Sequence, residues 1–333
     1  MAHRDFATPR WMRNAHVQTL GAAFPFFSPP RSHEAMATEE LRVPLGEGHK
    51  LHARAWWMGG GANDHPRPAV VIVHGIGGSS SSRTVVRTAV ALHRAGFHVV
   101  RFDLRGAGAS VPDVPTLYHA GLSTDLGVVA AHVAADPRVS GVFLFGYSGG
   151  GTMALKLAGE WGDAPPSYVR GVVSASAPLD YTRVAPWMDT ALRSVYRFHI
   201  LGALTSAAKA FAMLHPDRAH YRASDVKRMS SFRHYDGTII VPMHGFTDVD
   251  LYYEAAGAGQ WLPKITVPTL LLHAEDDPMV PFDTVRPWLS GAPPAVDVAL
   301  SKHGGHMGWL GGLGESAWVD TWPSRRALAF LRG

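Results

Sequence analysis

The sequence predicts an α/β fold: a mostly parallel β-sheet with helices on both faces and a helical insertion ahead of the last strands. Three observations predict it. Short β-branched runs alternate with helix-periodic segments from about residue 69 to residue 174. That rhythm stops between about Pro178 and Leu262 and returns at Thr266. Between one such run and one helical segment stands Gly146-Tyr147-Ser148-Gly149-Gly150, which puts a serine at a strand-to-helix corner.

Taken in order, residues 1–40 are rich in proline and aromatic residues and are expected to form an irregular segment packing on the core. One domain is expected over 41–333. Leu41–Leu45 and His49–Met58 read as strands around the Gly46-Glu47-Gly48 turn, with a loop at Gly59–Asp64. Ala69–His74 and Phe97–Phe102 are continuous apolar runs of the kind buried on both faces of a sheet. Thr84–Ala95 and Ser123–Ala135 have helical spacing. Val139–Tyr147 leads into the serine corner, and Thr152–Trp161 reads as the helix behind it. Tyr168–Ser174 is a strand. After the insertion come a strand at Thr266–His273, a helix at Phe282–Leu289, a strand at Ala295–Leu300 and a last helix from about Glu315 to Leu331.

Composition narrows the class. Apolar residues make up 46 % and charged residues 17 % of 333, as in a folded soluble protein. With no cysteine there are no disulfides, thiolate metal sites or cysteine nucleophiles. The net charge of +4 comes from scattered residues rather than a basic stripe, which argues against nucleic acid. No run is long enough for stable membrane insertion, and Met1–His16 has no apolar leader core, so a cytoplasmic protein is expected. There is no H-E-x-x-H; His303 and His306 are three apart in a glycine-rich loop, a weak basis for a metal site. Neither G-x-G-x-x-G nor a Walker lysine is present, and no cofactor is expected.

The chemistry centres on Ser148. G-x-S-x-G between strand and helix is the nucleophile elbow of α/β-hydrolases, a strained corner whose neighbours must lack Cβ atoms. A serine needs a base within hydrogen-bond reach and an acid that orients the base. In this fold class they follow in the order acid, then histidine. Asp277, after the strand ending at His273, is the expected acid, with Asp276 its competitor; Pro278 biases Asp277 towards an extended backbone. His306, after the next strand, is the expected base, with His303 its competitor. Gly305 and Gly308 around it are read as leaving room for a mobile loop over the serine. His74-Gly75-Ile76-Gly77-Gly78 follows the first buried strand, and the N–H groups of Ile76 and Gly149 are the expected oxyanion donors, each worth about 3–4 kcal/mol. Asp103-Leu104-Arg105-Gly106 reads as an Asp–Arg pair bracing a loop. Tyr118 and His119 read equally as pocket lining or as packing.

These residues resemble the YheT-like branch of α/β-hydrolases. Arg13-Asn14-Ala15-His16-Val17-Gln18-Thr19 is similar to its N-terminal N-P-H-x-Q-T signature, with Ala15 where proline is usual. Val73–Ser80, Arg105-Gly106 with Tyr118–Gly121, His244-Gly245-Phe246 with Tyr252-Tyr253, Ala274–Pro278 and Gly304–His306 are similar to its other segments. The resemblance implies an eight-stranded α/β-hydrolase with a cap at about 178–262, and Ser148, Asp277 and His306 as the triad. It implies hydrolysis of carboxylic esters, short- to medium-chain acyl esters or acylglycerols, with no cofactor. Acyl transfer to an alcohol, or a non-catalytic receptor using the same fold, are the alternatives. The partner is then a small ester with an apolar acyl chain, and Trp187, Phe198 and Phe211 suggest apolar lining. One departure is Gly149, where the family usually has a bulky apolar residue; a more open acyl pocket is the expected consequence.

Overall fold

The computed structural model describes residues 6–22, 38–59, 65–312 and 321–333. Eight strands form one sheet: β1 (Glu39–Gly46), β2 (His49–Trp56), β3 (Arg67–Val73), β4 (His98–Phe102), β5 (Val139–Tyr147), β6 (Val169–Ala175), β7 (Thr269–Ala274) and β8 (Val296–Ser301). Their order is β1-β2-β4-β3-β5-β6-β7-β8. β2 is antiparallel to β1 and β4, and every later pairing is parallel.

The apolar runs alternate sides, as strand geometry requires. Val71, Val73, Val142 and Leu144 face one core; Val70, Ile72, Phe143 and Phe145 face the other. The first core is covered by α3 (Thr124–Ala134) and α4 (Gly149–Trp161), through Leu126, Val129, Met153 and Leu157. The second is covered by α2 (Arg83–Arg94), through Val85, Ala89 and Leu92, and by the last helix (Trp322–Leu331). Each fully buried Val or Leu contributes about 1.5–3 kcal/mol. The sheet therefore presents one open edge to chemistry: the C-terminal strand ends, where the loops carrying Ile76, Ser148, Asp277 and His306 emerge.

Between β6 and β7 no residue is in a strand. The chain forms α5 (Tyr181–Met188), α6 (Ser194–Leu214), α7 (Phe232–Tyr235), a π turn at Asp236–Ile240, α8 (Val241–His244) and α9 (Val249–Ala256).

Several boundaries differ from the expected ones. The segment before residue 40 contains a helix, α1 (Ala15–Gly21), whose N-cap Asn14 accepts from the N–H groups of His16 and Val17. Seven residues are too few for periodicity to reveal. Helix α4 starts at Gly149 rather than Thr152. The last helix is described from Trp322; its expected residues 315–320, like Met1–Asp5, residues 23–37 and residues 60–64 of the expected Gly59–Asp64 loop, lie outside the described residues.

Candidate active site

Ser148 sits between β5 and α4 with φ 51° and ψ −123°, a backbone region strained for a residue with a Cβ. Packing holds it there. A Cβ on Gly150 would stand 2.5 Å from His74 O and 2.8 Å from Val73 O, so α4 starts hard against the end of β3. The three glycines that weaken the helix start, by about 1 kcal/mol each relative to alanine, permit this close approach.

His306 Nε2 lies 2.9 Å from Ser148 Oγ, and His306 Nδ1 lies 2.8 Å from Asp277 Oδ2. Since the carboxylate only accepts, Nδ1 carries the proton and Nε2 is free to accept from the serine hydroxyl. Asp277 Oδ1 accepts from Met279 N at 2.8 Å and Val280 N at 2.9 Å. Burial alone would raise the Asp277 carboxyl; the facing His306 and His273 imidazoles and the Val280 N–H hold it below its usual value. Asp277 is 4 % and His306 2 % exposed, so the line is shielded from water up to the serine. The two competitors pair with each other instead: His303 Nδ1 is 3.2 Å from Asp276 Oδ2, and Asp276 Oδ1 accepts from Gly305 N at 2.9 Å.

The loop after β3 reaches the serine at a glycine: a Cβ on Gly75 would be 3.1 Å from Ser148 Cβ and 3.7 Å from its Oγ. His74 fixes that loop. It is buried, and burial holds its imidazole below the ordinary value. Its Nδ1 donates to Gly75 O at 2.8 Å and its Nε2 accepts from Leu104 N at 3.2 Å. Tyr118 Oη accepts from Gly77 N at 2.7 Å. The Ile76 N–H next to this turn makes no hydrogen bond among the described residues, and Gly149, as the first residue of α4, has no acceptor in its own helix. Both N–H groups are thus left without an acceptor among the described residues.

Gly149 does not open the pocket. A Cβ there would stand 2.5 Å from Ile76 Cγ1 and 2.6 Å from Ile76 Cδ1, so the Ile76 side chain takes the space a bulky neighbour would fill. Gly149→Leu is therefore expected to destabilise by about 1–3 kcal/mol through overpacking, and to lower kcat by displacing Ile76. The double variant Gly149→Leu/Ile76→Ala should recover most of the loss. Thermal unfolding and ester kinetics of the native protein and both variants check this; no recovery in the double variant would reject the exchange.

The glycines around His306 also serve close contact rather than a mobile loop. At Gly305 (φ 56°) a Cβ would meet Ala15 O at 2.5 Å and Thr19 Oγ1 at 2.7 Å. Helix α1 clamps this loop from outside the sheet. Thr19 Oγ1 accepts from His306 N at 2.9 Å. Buried Gln18 accepts from Leu310 N at 2.7 Å and donates to Leu310 O at 3.1 Å and Met12 O at 2.8 Å. Arg87 donates to Met307 O and Gly308 O, and Ser176 Oγ accepts from Met307 N at 3.2 Å. The sequence showed the Gln18-Thr19 pattern but not this task. Gln18→Ala leaves the buried Leu310 N–H without its acceptor, at about 1–3 kcal/mol, and loosens His306. The expected result is a kcat loss larger than any change in KM; an unchanged kcat would show that the clamp does not position the base.

A cavity lies above Ser148 and His306, under the inserted helices. Ile76, Val184, Met188, Ile200, Leu204 and Ile240 form its apolar wall; Tyr118 and His119 line it too. Burial and the neighbouring His244 push the His119 imidazole down to about 3, so it is neutral. Trp187, Phe198 and Phe211 are not in the lining. Phe198 is exposed, Phe211 is in the core, and Trp187 Nε1 donates to Pro278 O at 3.1 Å. On α6 the face that meets the cavity is Ile200 and Leu204, one helical turn apart. The Asp103–Arg105 pair is also absent. Asp103 accepts from Ser80 N at 2.6 Å and Ala109 N at 3.0 Å, while Arg105 forks onto Asp125. Among the described residues no group of three metal-ligating side chains converges, and no helix is long and apolar enough to cross a membrane.

A family model described as serine aminopeptidase, S33, matches residues 64–308. The chain is 27 % identical over 320 residues to YheT of Escherichia coli (strain K12), covering 95 % of this chain and 91 % of that one. It is 26 % identical over 256 residues to a monoacylglycerol lipase of Saccharomyces cerevisiae, covering 74 % of this chain and 56 % of the lipase. Among solved structures, the Pyrococcus furiosus esterase Pf2001 superposes with a TM-score of 0.58 at 15 % identity, covering 92 % of this chain and 98 % of the esterase.

Proposed function

Because the chain belongs to the serine aminopeptidase S33 family of α/β-hydrolases, in its YheT-like branch, we propose that it is a serine esterase cleaving short- to medium-chain acyl esters or acylglycerols through an acyl-enzyme on Ser148. The observation that carries this reading is the continuous line from Ser148 Oγ through His306 to Asp277, at 2.9 and 2.8 Å. His306 Nε2 takes the hydroxyl proton as Ser148 Oγ attacks the acyl carbon. The carbonyl oxygen becomes an oxyanion held by the Ile76 and Gly149 N–H groups. Collapse expels the alcohol, which leaves with the proton from His306. A water then gives a proton to His306 while its oxygen attacks the acyl carbon; the acid departs and the proton returns to Ser148 Oγ. Asp277 stays ionised throughout, holds the Nδ1–H tautomer and stabilises the imidazolium.

The apolar cavity next to Ser148 and His306 supports an apolar acyl chain, and a relative named as a monoacylglycerol lipase supports an acylglycerol ester. The test is chemical. A fluorophosphonate should form one adduct, located on Ser148 by peptide mass, and brief exposure to a nitrophenyl ester should trap the matching acyl group on the same residue. Ester turnover with no adduct at Ser148 would overturn the reading.

A further inference from the structure

Several polar side chains interrupt the apolar wall above Ser148, among them Tyr118, His119 and Tyr252; two others, which the hydrolytic cycle does not use, have hydrogen-bonding capacity to spare. The first is Tyr181, at the start of α5. It is 8 % exposed and lines the cavity, and its hydroxyl lies beside the Thr152 hydroxyl without a well-formed hydrogen bond. The neighbouring Thr152 hydroxyl gives its proton to Pro178 O at 2.7 Å. Tyr181 Oη is also close to the nucleophile: a Cβ on Gly149 would be 3.4 Å from it. The second is Asp236, which opens the π turn and lines the same cavity. Its Oδ2 accepts from Tyr253 Oη at 2.8 Å, and no ion pair with it is formed among the described residues. Burial pushes its carboxyl up to about 7, with the Asp189 carboxylate adding to the effect and the Tyr253 hydrogen bond opposing it.

A buried hydroxyl without a well-formed hydrogen bond and a half-buried carboxyl with one partner are both unfavourable in a largely apolar wall. Their chemistry defines what relieves them. Above about pH 7 Asp236 is a carboxylate and accepts only, and the tyrosine hydroxyl has a proton to donate. A ligand hydroxyl both donates and accepts, so it suits the two together. A ligand carboxylate would be repelled by Asp236. An ammonium would satisfy Asp236 but leave the Tyr181 proton without an acceptor.

We propose that the cavity is a subsite for a hydroxylated acyl group, whose hydroxyl is held by Tyr181 and Asp236. The proposal rests on the esterase reading only in placing the ester carbonyl at Ser148, and the experiment separates the two. Binding of methyl hexanoate and its 3-hydroxy, 5-hydroxy and 6-amino analogues to the Ser148→Ala protein is measured by calorimetry, without any turnover. At least one hydroxy ester should bind about tenfold or more tighter than methyl hexanoate, and that ratio should fall below about twofold in Tyr181→Phe or in Asp236→Asn. The ratio within each variant is an internal control for folding. Hydroxy esters all binding no better than hexanoate would overturn the proposal, because an unmatched hydroxyl in an apolar wall weakens binding. A ratio that survives both substitutions, or a first preference for the amino ester, would overturn it as well. A hydroxyl preference in binding alongside an unreactive Ser148 would sink the esterase reading and leave the subsite standing. Acylation of Ser148 without any such preference would do the reverse.

Discussion

Replacing Ser148 with alanine is expected to lower kcat for a carboxylic ester by about a million-fold, with little change in KM. The size follows from the site's division of labour. Ser148 Oγ is the atom that His306 Nε2 reaches at 2.9 Å, and its removal leaves water as the attacking group. Water enters without the covalent attachment that makes attack intramolecular. The Ile76 and Gly149 N–H groups and the cavity remain, so a residual acceleration of about 10³–10⁴ over the uncatalysed reaction should persist. The hydroxyl makes few ground-state contacts with an acyl chain lying along Val184, Met188, Ile200 and Leu204, which is why KM should hold. Steady-state kinetics of the purified variant, with fluorophosphonate labelling of the native protein as a reference, measures this. A variant that keeps more than about a hundredth of the native rate would point to another nucleophile.

Much of the scaffold was legible because it follows from local chemistry. Continuous β-branched runs can be buried on both faces only in a covered parallel sheet, and β3 to β8 lie where those runs are. The place of the serine was legible because a strand, a glycine-flanked serine and a helix coincide. What was not legible is what fills the space that glycines leave. Gly149 reads as an opening until Ile76, seventy-three positions earlier, is seen against it; Gly305 reads as slack until the backbone of α1 is seen packed there. Such contacts depend on distant parts of the chain. The same limit explains Arg105, whose partner is Asp125 and not the nearby Asp103, and the cavity wall, where Ile200 and Leu204 stand and Trp187, Phe198 and Phe211 do not. The choice between Asp276 and Asp277 was also beyond local pattern, since adjacent side chains differ only in direction. The structure turns one towards His306 and the other towards His303 and the Gly305 N–H.

That divergence produces the second large effect. Asp277→Asn is expected to lower kcat by about 10⁴, and Asp276→Asn by no more than about tenfold. At position 277 an amide oxygen can still accept from Met279 N and Val280 N, so the turn that holds the side chain survives. The amide nitrogen, which then replaces Oδ2, donates where a carboxylate accepted. His306 Nδ1 must now accept, its proton moves to Nε2, and Nε2 can no longer take the hydroxyl proton of Ser148. The imidazolium formed during attack also loses the buried negative charge that faced it, in a place where water supplies little screening. At position 276 an amide oxygen still accepts from Gly305 N, and the lost charge faces His303, a partly exposed side chain that does not touch the serine. The comparison is made on kcat at fixed pH with matched unfolding temperatures. Equal losses in the two variants, or a larger one at Asp276, would move the acid's role to the neighbouring carboxylate and require His303 to turn into the site.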